Sequence, residues 1–432
     1  MKFNIKKSKN YILLKDGLLY DPYLKIKDKK DILIKNEKIV DIKNNIAIKS
    51  SYEVIDCKNN IITNGFIDLH SHFREPGYEF KETLETGALS AIYGGYTRVC
   101  IMPNTNPVID TPELVRYLID KSSSLPIFIY PIGAITKGQK GLELSEIGEM
   151  VHAGAVAISD DGLPVKNSQI LRFALEYAKK FDIPVINHAE DNCLVNEGLM
   201  HEGLNSLRFG VPGNPSIAES TMIYRDIEIA KYVGGKLHIP HISSKESLDV
   251  IQFFKNKKYN VSAEVTPHHL CLTDDLIKNY NTNAKVAPPI RSLEHQKSLI
   301  EGIKKGLINC IATDHAPHSI DDKDTDIKHA SCGMIGLESS FGLVCKTLLK
   351  NNMKVTSIID LFSYNPSKII NIQPNLIKEG VDAEINIIDP DIEWVFKDKH
   401  IQSKSSNTPV IDMKLKGKVV CTINKGFIST KK

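Results

Sequence analysis

Between residues 61 and 312 one texture recurs eight times: a short run rich in Ile and Val, then a stretch whose apolar residues have helical spacing. The runs are Ile61–Leu69, Thr97–Met102, Ile127–Pro131, Val156–Ser159, Pro184–Asn187, Lys236–Pro240, Val261–Val265 and Asn309–Ala312. Strands that alternate with helices lie parallel, with the helices covering the sheet. Eight such units favour closure into a (β/α)8 barrel of TIM type over an open sheet. The helices carry their own punctuation. Thr111-Pro112-Glu113 supplies a cap, a proline in the first turn and an acid beside it. Ser243 with Glu246 spells a capping box, and the stretch from 82 to 93 stops at Gly94-Gly95, as a left-handed cap requires.

The two ends of the chain read differently. Tyr11–Leu14, Asp31–Ile34 and Lys38–Ile42 near the start are β-rich runs separated by turn residues. So are Ile385–Ile388, Trp394-Val395, Val410–Met413 and Lys418–Ile423 near the finish. Neither end has strands enough for a core of its own, so the two are expected to meet in one small β-sandwich. The expected organisation is a sandwich from residues 1–60 and 376–432 and a barrel from residues 61–375. A chain of 432 residues is long enough for both.

Lys and Arg total 55 and Asp and Glu 52, a near balance that points away from nucleic acid and from membrane surfaces as partners. The eight cysteines are scattered without a Cys-x-x-Cys pair, which argues against a disulfide framework or a thiolate metal site. The stretch Met1–Asn10 is basic but is not followed by the apolar core of a signal segment, and no run approaches the ~20 apolar residues of a spanning helix. A cytoplasmic protein is expected.

Active sites of such barrels gather where strands end, so the residues after each run are the test. His70 and His72 follow the first run, two apart and therefore on one face of an extended chain. Asp160-Asp161-Gly162 follow the fourth, His188 and Glu190 the fifth, His241 the sixth, and Asp314-His315 the eighth. Four histidines and two carboxylates suit two ions that share a carboxylate and a water. One aspartate of the pair is free to cap the turn that follows. Such a centre activates water and polarises an amide carbonyl, and Asp314 is placed to take the water's proton and deliver it to a leaving nitrogen. Arg74, Asn104 and His318 sit on loops at the same barrel mouth and read as a carboxylate clamp, hence a small anionic substrate. His238 is expected to face the other way and pack, His268-His269 to be structural or supporting, and His152, His201, His295, His329 and His400 to lie on the surface or on helices.

Taken in order, Asp-Leu-His-Ser-His-Phe-Arg-Glu-Pro-Gly (68–77), Met-Pro-Asn-Thr (102–105), Ser-Asp-Asp-Gly (159–162), Ala-Glu-Val-Thr-Pro-His-His-Leu (263–270) and Ala-Thr-Asp-His-Ala-Pro-His (312–318) resemble the class I dihydroorotases of the amidohydrolase superfamily. The resemblance implies reversible cyclisation of N-carbamoyl-L-aspartate to L-dihydroorotate in pyrimidine synthesis, with two divalent ions, zinc in the first place. On that pattern His70, His72 and Asp314 would bind one zinc, His188 and His241 the other, and Asp161 both. Arg74, Asn104 and His318 would hold the substrate carboxylate, and Gly333 would offer backbone contacts. A homodimer is expected, and association with aspartate transcarbamoylase is compatible with the family.

Related hydantoinases and allantoinases place a carboxylated lysine at the bridge, whereas the nearest lysine here is Lys166, several residues beyond the strand. Two positions depart from the dihydroorotase pattern. Ala287 stands where an asparagine commonly contacts substrate, and Cys332 where a larger apolar residue is usual. Losing one neutral hydrogen bond costs on the order of 1 kcal/mol when water substitutes. The competing readings are another cyclic amidohydrolase (a dihydropyrimidinase or hydantoinase, or an allantoinase) and a non-catalytic dihydroorotase-like partner of aspartate transcarbamoylase. The last would have lost metal ligands, and all six are present here.

Overall fold

Eight parallel strands make the barrel: Phe66–Ser71, Tyr96–Ile101, Phe128–Pro131, Ile158–Ser159, Val185–Ile186, Leu237–Ile239, Ser262–Val265 and Cys310–Ile311. They belong to a computed structural model that describes residues 4–7, 10–259 and 261–430; residues 1–3, 8 and 9 of the basic N-terminal stretch lie outside the described residues. The first three strands pair in sequence, as do the last five. Single bridges, Gly133 to Ile158 and Ser71 to His315, join the two groups into a ring. At the second of these the His72 N–H donates to His315 O at 2.8 Å, so the barrel seam closes directly beside His72 and Asp314.

Alternate strand positions divide the core. Ile67, Cys100, Ile132, Ala157, Ile186 and Cys310 belong to one buried cluster in the bore. Phe66, Val99, Ile129, Ile158 and Val185 meet the apolar faces of the surrounding helices in a larger one. Helix Leu84–Gly94 ends as the sequence indicates: Gly95 has φ 100° and its N–H returns to Ala91 O and Ile92 O. Helix Pro112–Ser122 starts at its proline, although Thr111 makes no side-chain cap bond. The helix starts one residue later than the capping box expected at Ser243 with Glu246 implies. Ser244 is the cap, accepting from Ser247 N–H, while Ser243 donates its N–H and hydroxyl to the buried carboxylate of Glu219.

Both termini enter one nine-stranded sheet. Its buried cluster takes Ile12, Leu14, Ile32 and Ile34 from the N-terminal side and Ile385, Ile387, Cys421 and Ile423 from the C-terminal side. Ile61–Asn64, which reads as the start of the first barrel strand, instead pairs antiparallel with Ile385–Ile388. The break falls at Gly65, whose N–H goes to Glu384 O while Phe66 N–H goes to Gly95 O. A Cβ at residue 65 would lie 2.2 Å from Thr97 Oγ1, so only glycine fits where the chain passes between domains. Val410–Met413 forms turns rather than a strand, and the strand begins at Lys414. Arg98, on the second barrel strand, grips Glu384, which adjoins terminal-sheet strand Ile385–Val395, with two bonds, 2.9 and 2.7 Å. No helix among the described residues is long and apolar enough to cross a membrane.

Candidate metal centre and substrate cleft

Asp161 stands at the centre of six converging donors. Its Oδ2 lies 3.2 Å from His70 Nε2 and 3.5 Å from His72 Nε2; its Oδ1 lies 3.2 Å from His241 Nε2 and 3.5 Å from His188 Nδ1. Asp314 Oδ1 completes the first side, 3.1 Å from His72 Nε2 and 3.7 Å from His70 Nε2. On the second side His188 Nδ1 and His241 Nε2 are 3.0 Å apart. Donors about 2.0–2.1 Å from a tetrahedral ion stand roughly 3.3–3.4 Å from one another, so these spacings fit one ion on each side of Asp161. All six residues are buried. Three of the residues at this mouth, Arg74, His241 and Asp314, have φ of 63°, 34° and 47°, left-handed values that are uncommon outside glycine and concentrate at functional sites.

The electrostatics make the same case. His70 Nε2 is buried and has no hydrogen-bond partner among the described residues, a costly state that a cation would relieve. Burial by itself would raise the Asp161 carboxyl, yet His70, His188 and His241 hold it well below the usual range. Burial disfavours charge on His188, yet Asp161 and Glu190 hold it up to about 10. The cluster therefore stabilises positive charge at its middle, the charge that divalent ions carry.

Three of the inward nitrogens, those of His70, His72 and His188, are aimed by a bond on the opposite side of the ring. His70 Nδ1 meets Glu264 Oε1 at 2.9 Å, and Glu264 Oε2 meets His238 Nε2 at 3.0 Å. His72 Nδ1 donates to Asn104 Oδ1 at 2.8 Å. His188 Nε2 lies 3.3 Å from Glu190 Oε2, and Asn214 Nδ2 donates to the other Glu190 oxygen at 2.7 Å. A proton on the outer nitrogen leaves the inner lone pair free for a metal. Asp160, the other member of the aspartate pair, turns away and accepts from Ile135 N–H, Thr136 N–H and the Thr136 hydroxyl.

Above the donors lies a cleft of about 260 Å³. His72, Asp161, His188 and Asp314 line one end, and Arg74, Asn104, Ala287, His318 and Gly333 are all in its wall. Arg74 Nε donates to Pro317 O at 3.1 Å, which holds Nη2 3.3 Å from His318 Nε2. His318 donates from Nε2 to Cys332 O at 2.8 Å and receives Lys81 Nζ at Nδ1, 3.3 Å. Burial, Arg74, Lys81 and Lys323 push His318 down to about 3, so it is neutral. Arg74 is the cation in the cleft wall itself, the complement of a carboxylate, while Lys81 behind His318 is paired with Asp322 at 3.2 Å.

A family model described as dihydro-orotase-like matches residues 59–247. A dihydroorotase of Acetivibrio thermocellus is 42% identical over 419 residues, spanning 96% of this chain and 98% of its own. The chain belongs to the dihydroorotase family. A second dihydroorotase, from Trichlorobacter lovleyi, is 39% identical over 418 residues, 96% of this chain and 98% of that one. Among solved structures the L-hydantoinase (dihydropyrimidinase) of Arthrobacter aurescens superposes with a TM-score of 0.85 at 23% identity, covering 96% of this chain and 95% of that one. A D-hydantoinase (dihydropyrimidinase) from Thermus sp. superposes with a TM-score of 0.81 at 21% identity, covering 97% and 95%. These neighbours share the barrel-and-sandwich fold with this member of the dihydroorotase family, a family of cyclic amidohydrolases.

Within this dihydroorotase-family site, Lys166 is exposed and lies outside the cleft wall, and Asp161 occupies the position between the two donor sets. His269 is structural, bonded to Thr266 Oγ1 and Pro288 O at 2.8 Å each. His238 is packed as expected, but it does not face away from the site: it points into the bore and shares Glu264 with His70, so the spacing from His241 misled about its direction. His201 is buried in a short strand rather than on the surface or a helix, and His295 lies on helix Leu293–Lys304 with its side chain buried; their rings stack edge to face 4.9 Å apart beside the buried Arg291. Sequence reasoning did not single out Glu264 as a supporting residue. Its one signal is a carboxylate inside the apolar run Val261–Val265. Asn407, far along the chain, gives no signal of its own.

Proposed function

We propose that this chain is a dihydroorotase that interconverts L-dihydroorotate and N-carbamoyl-L-aspartate in pyrimidine synthesis, with zinc as the metal at both sites. The observation that carries the reading is the union, in one cleft, of a two-ion donor set divided by Asp161 and a cationic wall formed by Arg74 and its neighbours. An uncharged ring gives the cationic wall nothing to hold.

His70, His72 and Asp314 would hold one ion, His188 and His241 the other, and Asp161 both. Bound there, the ions would lower the pKa of water to yield a nucleophile and would polarise the scissile carbonyl. Arg74, with Asn104, His318 and the Gly333 backbone, fixes the substrate by its carboxylate so that the ring amide faces the donors. Asp314 accepts the proton of the attacking water. The carbonyl carbon gains that oxygen, its bond to the ring nitrogen breaks, and Asp314 gives the proton to the nitrogen; cyclisation runs the same transfers backwards. Burial alone would keep Asp314 protonated, but His72 and His70 hold it ionised. Ala287 offers no side-chain hydrogen bond, which leaves the carboxylate contacts to carry more of the selectivity. The same reading expects a cytoplasmic homodimer, to be checked by light scattering, with aspartate transcarbamoylase as a candidate partner.

The test is parallel turnover of L-dihydroorotate, dihydrouracil and allantoin by the zinc-loaded enzyme. Preference for L-dihydroorotate supports the reading; preference for either uncharged ring overturns it.

A further inference from the structure

Asn407 lies on the chain that leaves the terminal sheet at Val395 and rejoins it at Lys414. It is 5% exposed, and its side chain spends every hydrogen-bonding direction seen here on the wall of the substrate cleft. Oδ1 accepts from His318 N–H at 3.0 Å, and Nδ2 donates to Ala316 O and Gly333 O, each at 3.1 Å. Its own carbonyl accepts from Ile335 N–H at 3.0 Å. The segments it ties are already laid side by side, with Ala316 N–H on Met334 O at 2.9 Å and His318 Nε2–H on Cys332 O at 2.8 Å. Between them there is no slack. Gly333 has φ 137°, and a Cβ there would lie 2.8 Å from Ala316 Cβ.

Neighbouring residues stitch the same connection to the loop that carries the rest of the cationic wall. Ser405 donates its hydroxyl to Lys81 O at 2.7 Å, and Lys404 N–H donates to Glu82 Oε1 at 3.1 Å. An acceptor and two donors on one short planar group is an arrangement that only an asparagine supplies at this reach. Alanine would leave the Ala316 and Gly333 carbonyls and the His318 N–H unpartnered in a buried seam, which must then shift or admit water.

We propose that Asn407 is a positioning residue that sets the His318–Gly333 side of the cleft, so that the terminal-sheet domain governs affinity for the anionic substrate. The inference rests on the reading of that wall as a carboxylate clamp. Asn407 touches neither donor set, so it acts on binding and not on the reacting bond.

The experiment compares full-length, zinc-loaded wild type with Asn407→Ala and Asn407→Asp, measuring kcat and KM in both directions, bound zinc and the unfolding midpoint. Asn407→Asp keeps the acceptor for His318 N–H but loses both donors. Both variants are expected to raise KM for L-dihydroorotate and for N-carbamoyl-L-aspartate about tenfold or more, with kcat within about threefold and zinc content unchanged. Unchanged KM in either folded variant overturns the inference, and so does a fall in kcat at constant KM. Asn407→Ser, which retains one short polar group, takes the place of any variant that fails to fold, with the same criteria. Wild type that does not turn over L-dihydroorotate at all refutes the functional reading instead.

Discussion

Replacing Glu264 with glutamine removes one acceptor from the middle of a buried chain and changes little else. The carboxylate is 1% exposed and serves two imidazoles at once, His70 Nδ1 at 2.9 Å and His238 Nε2 at 3.0 Å. Burial would raise its pKa, but His238 and His70 hold it down to about 2, so it is a permanent anion. An amide offers one oxygen and one NH2, so one of the two imidazoles must face a donor. A buried donor left without an acceptor costs about 1–3 kcal/mol, the expected loss of stability in the metal-free protein. If the unpartnered ring is His70, the control over its inward nitrogen is lost as well, and loss of such outer support weakens metal affinity about 10–100-fold. Urea unfolding of the metal-free protein reads the first quantity, and zinc titration against a competing chelator reads the second. Zinc affinity within about twofold of wild type, alongside the stability loss, would refute the role of Glu264 in aiming His70 and leave it a purely structural anion.

Two further perturbations probe the scaffold. Arg98→Met strips the half-buried Glu384 of both guanidinium bonds and is expected to cost about 3–5 kcal/mol in urea unfolding; a loss below about 1 kcal/mol would mean that this ion pair adds little to the contact between the terminal sheet and the barrel. His201 is pushed down to about 3 by burial, Arg291 and His295, so between that value and the ordinary ~6.5 the unfolded chain binds the extra proton. Its contribution is present above about pH 6.5 and is lost as pH falls towards 3, so the metal-free wild type should lose more stability than His201→Gln between pH 7.5 and pH 5, and parallel losses would count against it.

The donor residues were legible because a barrel puts them in a sequence position that needs no tertiary information, immediately after an apolar run. His70, His72, Asp161, His188, His241 and Asp314 all come together on that rule. The first strand shows the limit of apolar pattern. Ile61–Leu69 is one continuous run, and only the pairing partners reveal that Ile61–Asn64 joins the terminal sheet while Phe66 onward joins the barrel. Serine at both 243 and 244 satisfies the local rules for a helix cap, and both donate to the buried carboxylate of Glu219, a partner that local sequence does not reveal. His201, expected on the surface or on a helix, is instead buried in a short strand, because nothing local says that Arg291 will be buried beside it, whereas His295 lies on helix Leu293–Lys304 as expected. Glu264 and Asn407 are further cases of the same kind: each acts through partners that the chain brings near only by folding, 194 residues away for His70 and 89 for His318.

Turnover of L-dihydroorotate by the zinc-loaded chain, before and after treatment with a chelator and again after zinc is restored, bears most directly on the two-metal dihydroorotase reading. Activity should vanish with the chelator, return with zinc, and be absent in Asp314→Ala even when zinc is supplied. Turnover that survives metal removal, or full activity in Asp314→Ala, would contradict it.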